Sequence, residues 1–404
     1  MRILVVNCGS SSLKYTLFEH GDERTSGLVE RIGGDHVRFT RRLGGEPREV
    51  PDAAASDHTA AIAMMMERLV ADGVIDGPGA IDAVGHRVVH GGPDFTDAAL
   101  VDARVRNNRT ARELAPLHWV NYVGIEACLK LMPGTPQVAV FDTAFHHSIP
   151  EYARTYALPA PLLKKYGIRR YGFHGTSHKY VARRAARLMG RRGGRAGLIT
   201  LHLGNGSSLA AVRSGRCLDT SMGMTPLAGV VMGSRCGDID PAVIPFLMER
   251  EGLTPPQMDR LLNKASGVLG LSGVSNDMRE VIRRGGQGHA PSRLALDVFA
   301  YSIRKYIGAY HAILGGAQAL VFTAGIGEKS AVIRAAVCKG LEGIGVRLDA
   351  GRNRRAVSRE MAIHAPSSKI QVWVIPTREE LMIAQETQRV VADAGAPRRR
   401  RTPR

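Results

Sequence analysis

The pattern of apolar and polar residues predicts two β-hairpins, each turning at a segment rich in glycine and serine. Residues 3–6 are apolar, the turn reads Cys-Gly-Ser-Ser-Ser after Asn7, and strand character resumes at Leu13. In the middle of the chain, residues 198–203 form a second apolar run, followed by Gly-Asn-Gly-Ser-Ser and a resumed strand from Leu209. Short apolar runs that flank such turn residues are typical of paired antiparallel strands.

The two hairpins indicate an internal duplication. Both turns end in Ser-Ser-Leu, and the first serines of that triplet, Ser11 and Ser207, lie 196 residues apart in a chain of 404. Glycine and serine bring backbone N–H groups and hydroxyls close to a ligand without bulk, which suits phosphate oxygens. One such turn alone is ordinary hairpin chemistry. Two matched copies predict phosphates held between two related domains.

A third segment, residues 320–327, predicts a buried strand followed by glycines, with a helix opening at residues 328–330. Glu328 breaks the Gly-Lys-Ser order of a Walker A loop, and no strand is followed by Gly-x-Gly-x-x-Gly. Phosphate binding is therefore expected without a P-loop or a dinucleotide fingerprint. The 22 uncharged residues 306–327 contain glycines and polar residues, so they predict a helix ending near Gly315 and then a strand, with no membrane span.

The order of these elements predicts an α/β protein of two duplicated domains. We expect the first domain at residues 1–148, with a C-terminal helix and tail at 381–404 returning to it. The second is expected at 149–380. Residues 58–70 and 294–314 have apolar residues near the helical period and predict helices on a core or a dimer face.

Charge and cysteine content narrow the class of protein. The net charge is +18, and removing the five arginines of residues 398–404 leaves +13. The remaining basic residues are scattered and aromatic residues make up 5%, so a solvated basic surface is favoured over specific nucleic-acid binding. The five cysteines never form Cys-x-x-Cys and no signal peptide is recognised at the N-terminus, which predicts a cytoplasmic protein without disulfides.

Polar and charged residues concentrate in several short segments that are typical of site loops. These segments are residues 86–92, 141–147, 171–178, 232–240 and 376–380. Since they are spread over the whole chain, a joint site has to be assembled by tertiary folding.

The motifs at residues 7–14, 86–92, 171–178, 202–206, 276–279 and 323–327 resemble the acetate kinase family, in the same order and over nearly the whole chain except the tail. The resemblance implies two actin- or hexokinase-like (ribonuclease H-like) domains with ATP in the cleft between them. It also implies reversible, Mg²⁺-dependent transfer of a phosphoryl group between ATP and acetate, usually in a homodimer. Mn²⁺ is an alternative metal.

Elementary chemistry shows what such a reaction needs. A carboxylate with a pKa of about 4 is ionised at neutral pH, so it attacks phosphorus without a general base. The enzyme has to bring two anions together in line and stabilise charge on the transferring group. By the resemblance, Arg87 and Arg235 clamp the carboxylate and the phosphoryl group, and His174 donates a hydrogen bond to the phosphoryl group. Asp142 and Glu379 hold Mg²⁺ and its waters. The adjacent Glu380 is expected to face away if this segment opens a helix.

The resemblance also implies the residues that bind the nucleotide and the acyl group. In the two turns, Asn7 lies at the phosphate and metal, and the other ligands of the nucleotide phosphates are Ser10, Ser12, Lys14, His202, Leu203, Gly204, Asn205 and Gly206. The adenosine side involves Asp277, Met278, Arg279, Thr323, Ala324, Gly325, Ile326 and Gly327. The acyl pocket is formed by Val89, Leu117, Phe173 and Pro226, with Arg87 at the carboxylate.

Two alternatives stay open at this point. The family's usual residues after Pro-Leu-His are replaced by Trp-Val-Asn-Tyr at 119–122, next to the expected acyl pocket, so a propionate or butyrate kinase with the same mechanism is a close alternative. A non-catalytic nucleic-acid-binding or scaffold protein is a more distant one, supported only by the basic excess.

Overall fold

A computed structural model describes residues 1–108, 120–191 and 196–395, and two β-sheets organise them. The sheets belong to two separate units. The first unit comprises Met1–Ala144 and the chain from Arg378 onward, and the second comprises Phe145–Thr377. Short 3₁₀ helices occur at Pro78–Ala80, Ala144–Ser148 and Glu342–Ile344.

The sheet of the first unit has eight strands in the order β5-β4-β3-β2-β1-β6-β8-β7. These strands are β1 (Arg2–Gly9), β2 (Ser12–Glu19), β3 (Asp22–Glu30), β4 (Arg38–Leu43), β5 (Arg48–Val50), β6 (Ala83–Val88), β7 (Ala99–Leu100) and β8 (Gln137–Phe141). The helices described in this part of the chain are α1 (His58–Ala71), α2 (Ala103–Arg106) and α3 (Val120–Leu131).

The sheet of the second unit has six strands in the order β11-β10-β9-β12-β14-β13. They are β9 (Gly197–Leu203), β10 (Ser207–Arg213), β11 (Arg216–Thr220), β12 (Ala319–Thr323), β13 (Met361–Ala362) and β14 (Gln371–Val374). The helices are α4 (Glu151–Arg154), α5 (Ala160–Tyr166), α6 (Gly175–Leu188), α7 (Val243–Glu251), α8 (Pro255–Lys264), α9 (Gly267–Ser272), α10 (Met278–Gly286), α11 (Ala290–Ile313), α12 (Ala324–Lys329), α13 (Ala331–Cys338) and α14 (Ala350–Arg355). The last described helix, α15 (Glu379–Gly395), returns to the first unit.

The two sheets share one core topology. In the first, β3, β2 and β1 are antiparallel neighbours, and β1, β6 and β8 are parallel neighbours. In the second, β11, β10 and β9 are antiparallel, and β9, β12 and β14 are parallel. The duplication predicted from the two glycine-serine hairpins is thus present as a repeated five-strand arrangement.

Each sheet is covered by helices because its strands bury side chains on both faces. In the first unit, alternation along β1 sends Leu4 and Val6 into the core beneath α1 and α3, and Ile3 and Val5 into the core beneath α15. In the second unit, one face packs under α11 and the other under α6. Such strands read as continuous apolar runs, as parallel strands in covered sheets do.

Two predictions about residues 306–330 have different outcomes. Helix α11 ends at Ile313 and β12 begins at Ala319, so the helix-then-strand interpretation is confirmed. The prediction that a helix opens at Glu328 is wrong, because α12 begins at Ala324 and Ser330 instead caps α13 through its side chain. Thr323 is extended and ends the strand, and the helix starts directly after it. Within the three described ranges, no helix combines the length and apolarity that a bilayer span requires.

Candidate active site

The first hairpin turns tightly at Ser10 and Ser11, since Gly9 and Ser12 are the last paired residues of β1 and β2. A β carbon at Gly9 would lie 2.7 Å from Ser12 Oγ, so any larger residue here would force the Ser12 side chain to shift. Gly9 has no positive φ, and neither does Gly204 or Gly206 in the second turn. At these three positions glycine therefore provides space for close approach and not a left-handed backbone angle.

Asn7 and Lys14 are cross-strand partners in this hairpin, so they share one face of the sheet. Lys14 forms an ion pair with Glu380 at the beginning of α15. Glu380 therefore turns toward the predicted phosphate residues, although we expected it to face away.

The second hairpin brings three predicted site residues together. Gly206 lies so close to its neighbours that a β carbon there would be 3.2 Å from Arg235 Nη1 and 3.5 Å from His174 Nε2. The turn is closed by Gly204, whose N–H donates to the Gly206 carbonyl over 3.1 Å. Asn205 accepts a backbone hydrogen bond from Gly233 over 3.0 Å. The guanidinium, the imidazole and the turn thus meet at one point.

Arg235 has the surroundings of an anion receptor. Its side chain is half-buried, and Nη1 donates to the Pro226 carbonyl over 3.2 Å. Among the described residues, no carboxylate forms an ion pair with this guanidinium. Burial lowers the pKa of Arg235 below its ordinary value, which means that the charge is incompletely compensated. An anion that enters here gains a charge-assisted hydrogen bond.

His174 is held in an uncommon backbone conformation. Its φ is 56°, in the left-handed region, directly before the first residue of α6. Such strain costs on the order of 1–3 kcal/mol and persists only where the surroundings fix it. The ring stacks on His202 at 4.0 Å between centroids, and Nδ1 lies 2.9 Å from Ser208 Oγ. His202 is itself buried, with Nδ1 2.8 Å from Ser177 Oγ.

In the first unit, Arg87 and two carboxylates form a compact charged group, which we call the Arg87 cluster (Arg87, Asp142 and Glu379). Arg87 Nη2 and Nε donate to the same Asp142 oxygen over 2.6 and 3.1 Å. Arg87 Nε also lies 3.8 Å from Glu379 Oε2. Asp142 follows β8 directly and is 1% exposed, so its carboxylate is held by the neighbouring guanidinium.

A glycine explains how Glu379 reaches this cluster. Gly85 precedes Arg87 by two residues on β6 and so faces the same side of the sheet. A β carbon at Gly85 would collide with Thr387 Oγ1 and would lie 2.9 Å from Ile383 Cγ2, both on α15. Helix α15 therefore lies directly against β6, and its first residue, Glu379, approaches Arg87.

The cluster is electrostatically crowded. The pKa of Glu379 is raised to about 7, chiefly by burial and also by the neighbouring Asp142 and Glu380, and Arg87 and Lys14 partly offset this increase. Asp142 is the main cause that raises the pKa of Arg87 above its ordinary value, so this guanidinium stays charged. The excess of carboxylate charge favours a cation beside Glu379.

These donors fit the coordination habits of Mg²⁺. In the described part of the chain, no three His, Cys, Asp or Glu side chains are grouped so that they could hold a metal ion. Mg²⁺ commonly binds one or two carboxylates, with waters and substrate phosphates as its other ligands. Asp142 and Glu379, which both contact Arg87, provide a donor set of that kind.

The predicted nucleotide residues lie on two segments of the second unit. Asp277 caps α10 and forms an ion pair with the exposed Arg279, Nη2 to Oδ2 being 2.6 Å. Asn276 Nδ2 lies 3.5 Å from Asn205 Oδ1, which places this segment beside the second turn. The other segment runs from the end of β12 into α12 and contains Thr323, Ala324, Gly325, Ile326 and Gly327. Leu203 and Met278 are buried in the core, so only their backbones can face a ligand.

The residues predicted for the acyl pocket are divided between the units. Val89 lies in the first unit, where its N–H donates to Asn121 Oδ1 over 3.1 Å. Phe173 and Pro226 lie in the second, and Phe173 is buried with its carbonyl 2.8 Å from His146 Nε2. Leu117 lies outside the described residues.

The duplicated α/β fold, the two glycine-serine turns and a half-buried arginine without a carboxylate partner among the described residues are features expected of a phosphotransferase with two actin-like domains. Comparison with known proteins gives the family. The chain matches the acetokinase family over residues 2–385. It is 53% identical to an acetate kinase from Dictyoglomus thermophilum, over 97% of this chain and 99% of that protein. The chain belongs to the acetokinase family.

Solved structures agree with this assignment. The crystal structure of Porphyromonas gingivalis acetate kinase superimposes with a TM-score of 0.91 at 44% identity, covering 96% of this chain and 99% of that one. A propionate kinase from Francisella tularensis gives a TM-score of 0.89 at 39% identity, with coverage of 96% and 99%. The predicted family, fold class and enzyme class, a phosphotransferase with a carboxyl acceptor, are confirmed. A non-catalytic scaffold is therefore disfavoured.

Sequence reasoning missed the groups that hold the site residues in place. Ser208 stands out only as part of the turn motif, and His178 only as the last residue of the 171–178 segment. Thr200 and Gly85 lie inside apolar strands and gave no signal of their own. The period of two along β9, β10 and β6 could have placed these residues on the same faces as the site residues.

Proposed function

We propose that the chain transfers the γ-phosphoryl group of ATP to acetate, reversibly and with Mg²⁺, giving acetyl phosphate and ADP by direct in-line displacement. The observation that carries this proposal is the half-buried Arg235 guanidinium, which has no carboxylate partner among the described residues and lies with His174 at the second glycine-serine turn. The name acetate kinase on relatives about half identical over their full length supports the choice of substrates.

In the second unit, Arg235 and His174 bind the equatorial oxygens of the transferring group. Both side chains converge on Gly206, and the absence of a β carbon there leaves room for phosphate oxygens. Donors placed in advance at the developing charge lower the barrier without reorganisation during the reaction. Asn205 and the backbone N–H groups of the turn bind the remaining phosphate oxygens of the nucleotide.

In the first unit, Arg87 binds the carboxylate of the acceptor. Its Nε and Nη2 donate to Asp142, so the guanidinium plane is fixed while the Nη1 N–H groups make no hydrogen bond within the described ranges. An acetate oxygen accepts from Nη1 in this proposal. Since acetate is already ionised, no residue is needed as a general base.

Asp142 and Glu379 are the side chains proposed to hold Mg²⁺ through its waters, with Asn7 nearby on β1 and Mn²⁺ as an alternative ion. When bound, the metal neutralises phosphate charge and aligns the transferring group. The proposal is supported by one buried carboxylate, Asp142, and one half-buried carboxylate, Glu379, which share a single guanidinium. A homodimer and a cytoplasmic location stay predictions.

The test is formation of acetohydroxamate from MgATP, acetate and hydroxylamine by the purified full chain. Arg235→Ala is expected to lower kcat by about 10³-fold, as loss of an arginine finger does, with folding retained. Arg216→Ala, which removes an exposed arginine at the start of β11, is the matched control and is expected to keep wild-type turnover. Absence of hydroxamate from the wild type, or full turnover of Arg235→Ala, would contradict the proposal.

Propionate is a second candidate acceptor, favoured by the likeness to a solved propionate kinase. An apolar pocket discriminates one methylene by only about 1 to 3 kcal/mol. The value of kcat/KM, measured for acetate, propionate and butyrate under identical conditions, identifies the preferred acceptor. A maximum at propionate or butyrate would overturn the choice of acetate and leave the reaction type unchanged.

A further inference from the structure

Behind His174, four side chains of the second unit are linked by hydrogen bonds. His174 Nδ1 lies 2.9 Å from Ser208 Oγ, and the same hydroxyl lies 2.8 Å from His178 Nε2. His178 Nδ1 lies 2.7 Å from Thr200 Oγ1. Ser208, His178 and Thr200 are fully buried on β10, α6 and β9. The arrangement is a single chain of hydrogen bonds with His174 at one end and Thr200 at the other.

A chain of this kind has only two consistent proton arrangements, because each hydroxyl has one proton and each neutral imidazole has one. Burial lowers the pKa of His178 well below that of an ordinary histidine, so His178 is neutral. In one arrangement, Thr200 donates to His178, His178 to Ser208 and Ser208 to His174. In the other, all three hydrogen bonds run the opposite way.

The geometry at Thr200 distinguishes the two arrangements. The reversed one requires Thr200 to accept from His178 and to give its own proton to the Ala210 carbonyl, which is 3.4 Å away. That distance lies beyond the usual range of about 2.5–3.0 Å for O–H···O hydrogen bonds. The 2.7 Å to His178 Nδ1 is normal, so this ring nitrogen is the better acceptor for the Thr200 proton.

We propose that Thr200, His178 and Ser208 are positioning residues that keep the proton of neutral His174 on Nε2. With Ser208 donating to Nδ1, the only proton of the neutral ring is on the nitrogen that lies beside Gly206 and Arg235. His174 then donates to a phosphoryl oxygen without becoming an imidazolium.

This inference rests on the proposed function for its purpose, but the tautomer can be measured without substrate. Long-range ¹H–¹⁵N correlation spectra of the full chain, labelled at histidine nitrogens, distinguish Nδ1–H from Nε2–H rings. His174 is assigned by comparison with His174→Gln. At a pH of about 8.5, two units above the ordinary histidine pKa of about 6.5, we expect the His174 proton on Nε2. A wild-type spectrum with the proton on Nδ1 overturns the proposal.

Variants at Thr200, the far end of this chain of hydrogen bonds, add a kinetic test. Thr200→Val removes the hydroxyl with little change of shape, so we expect part of the His174 population to carry its proton on Nδ1. We expect kcat to fall about tenfold, the size of effect expected from loss of about one hydrogen bond in the transition state, while KM for acetate stays unchanged. Thr200→Ser retains the hydroxyl and is expected to restore both readouts.

Thr220→Val is the matched control. Thr220 is also fully buried in this sheet, but its hydroxyl donates to the Leu209 carbonyl and is not part of the chain of hydrogen bonds that ends at His174. It is expected to change neither the His174 spectrum nor kcat. An unchanged spectrum and unchanged kcat in Thr200→Val contradict the proposal. If Thr200→Val fails to fold, the wild-type spectrum still shows which nitrogen of His174 carries the proton and so tests the proposal. If the wild type carries the His174 proton on Nε2 but forms no hydroxamate, the proposed function is refuted and the inference about the tautomer stands.

Discussion

Replacing Gly85 with alanine tests how packing between a helix and a strand positions the Arg87 cluster. The new β carbon would collide with Thr387 Oγ1 and lie 2.9 Å from Ile383 Cγ2, whereas ordinary van der Waals contacts start at 3.4 Å. Helix α15 therefore has to move away from β6 by roughly 1 Å. Glu379, the first residue of that helix, would move with it and away from Arg87.

Two magnitudes follow from this displacement. Insertion of a methyl group into a packed contact costs about 1–3 kcal/mol of the free energy of unfolding. A misplacement of about 1 Å in a catalytic arrangement lowers turnover by up to about 10²-fold. We therefore expect Gly85→Ala to lower both the urea midpoint and kcat in the hydroxamate assay, although residue 85 contacts no substrate.

Two further variants make this test specific. Gly79→Ala adds a methyl group where no atom lies within 4 Å, and it is expected to behave like the wild type. In Gly85→Ala/Thr387→Ala, the colliding hydroxyl is removed, so part of the lost kcat is expected to return. Wild-type stability and kcat in Gly85→Ala would refute the claim that this contact sets the position of α15.

Three further predictions concern charged groups. Asp142→Asn is expected to raise the Mg²⁺ concentration for half-maximal activity, and an unchanged Mg²⁺ titration would count against its assignment. Glu379 has a pKa raised from 4.5 to about 7, so its contribution to stability is complete below about pH 4.5 and is lost as the pH rises through 7. In Glu379→Gln, the urea midpoint should change less between these pH values; an identical profile would exclude this group as the cause. Arg334 is fully buried and donates to the carbonyls of Gly327 and Asn353 over 2.8 and 2.7 Å, so Arg334→Met should lower the free energy of unfolding by about 3 kcal/mol or more, measured by urea denaturation. A midpoint equal to the wild type would contradict this.

The hairpins were predictable because their signals are local. An apolar run, a glycine-serine turn and a second run specify β1 with β2, and β9 with β10, without any distant contact. The start of α12 was predicted wrongly because its glycines were interpreted as a loop. The helix begins at Ala324, whose φ of 62° is a left-handed angle. No residue pattern in the sequence predicts that angle.

The motifs also predicted which residues are functional candidates, because a family resemblance identifies residue types in order along the chain. The sequence could not show how these residues are held. Glu380 was expected to face away from the site, yet its carboxylate pairs with Lys14, because α15 packs across the face of β1 on which Asn7 and Lys14 lie.

By itself, the sequence determined the two related domains, the two glycine-serine turns and the family, since these depend on residue order and short-range periodicity. Only the tertiary structure decided that Thr200, His178 and Ser208 form a chain of hydrogen bonds ending at His174. It also decided that the lack of a side chain at Gly85 allows α15 to pack against β6 beside the Arg87 cluster. The physical reason is that hydrogen bonds and close packing depend on separations of a few ångströms. Strand register and helix docking set those separations between residues that are far apart in the chain.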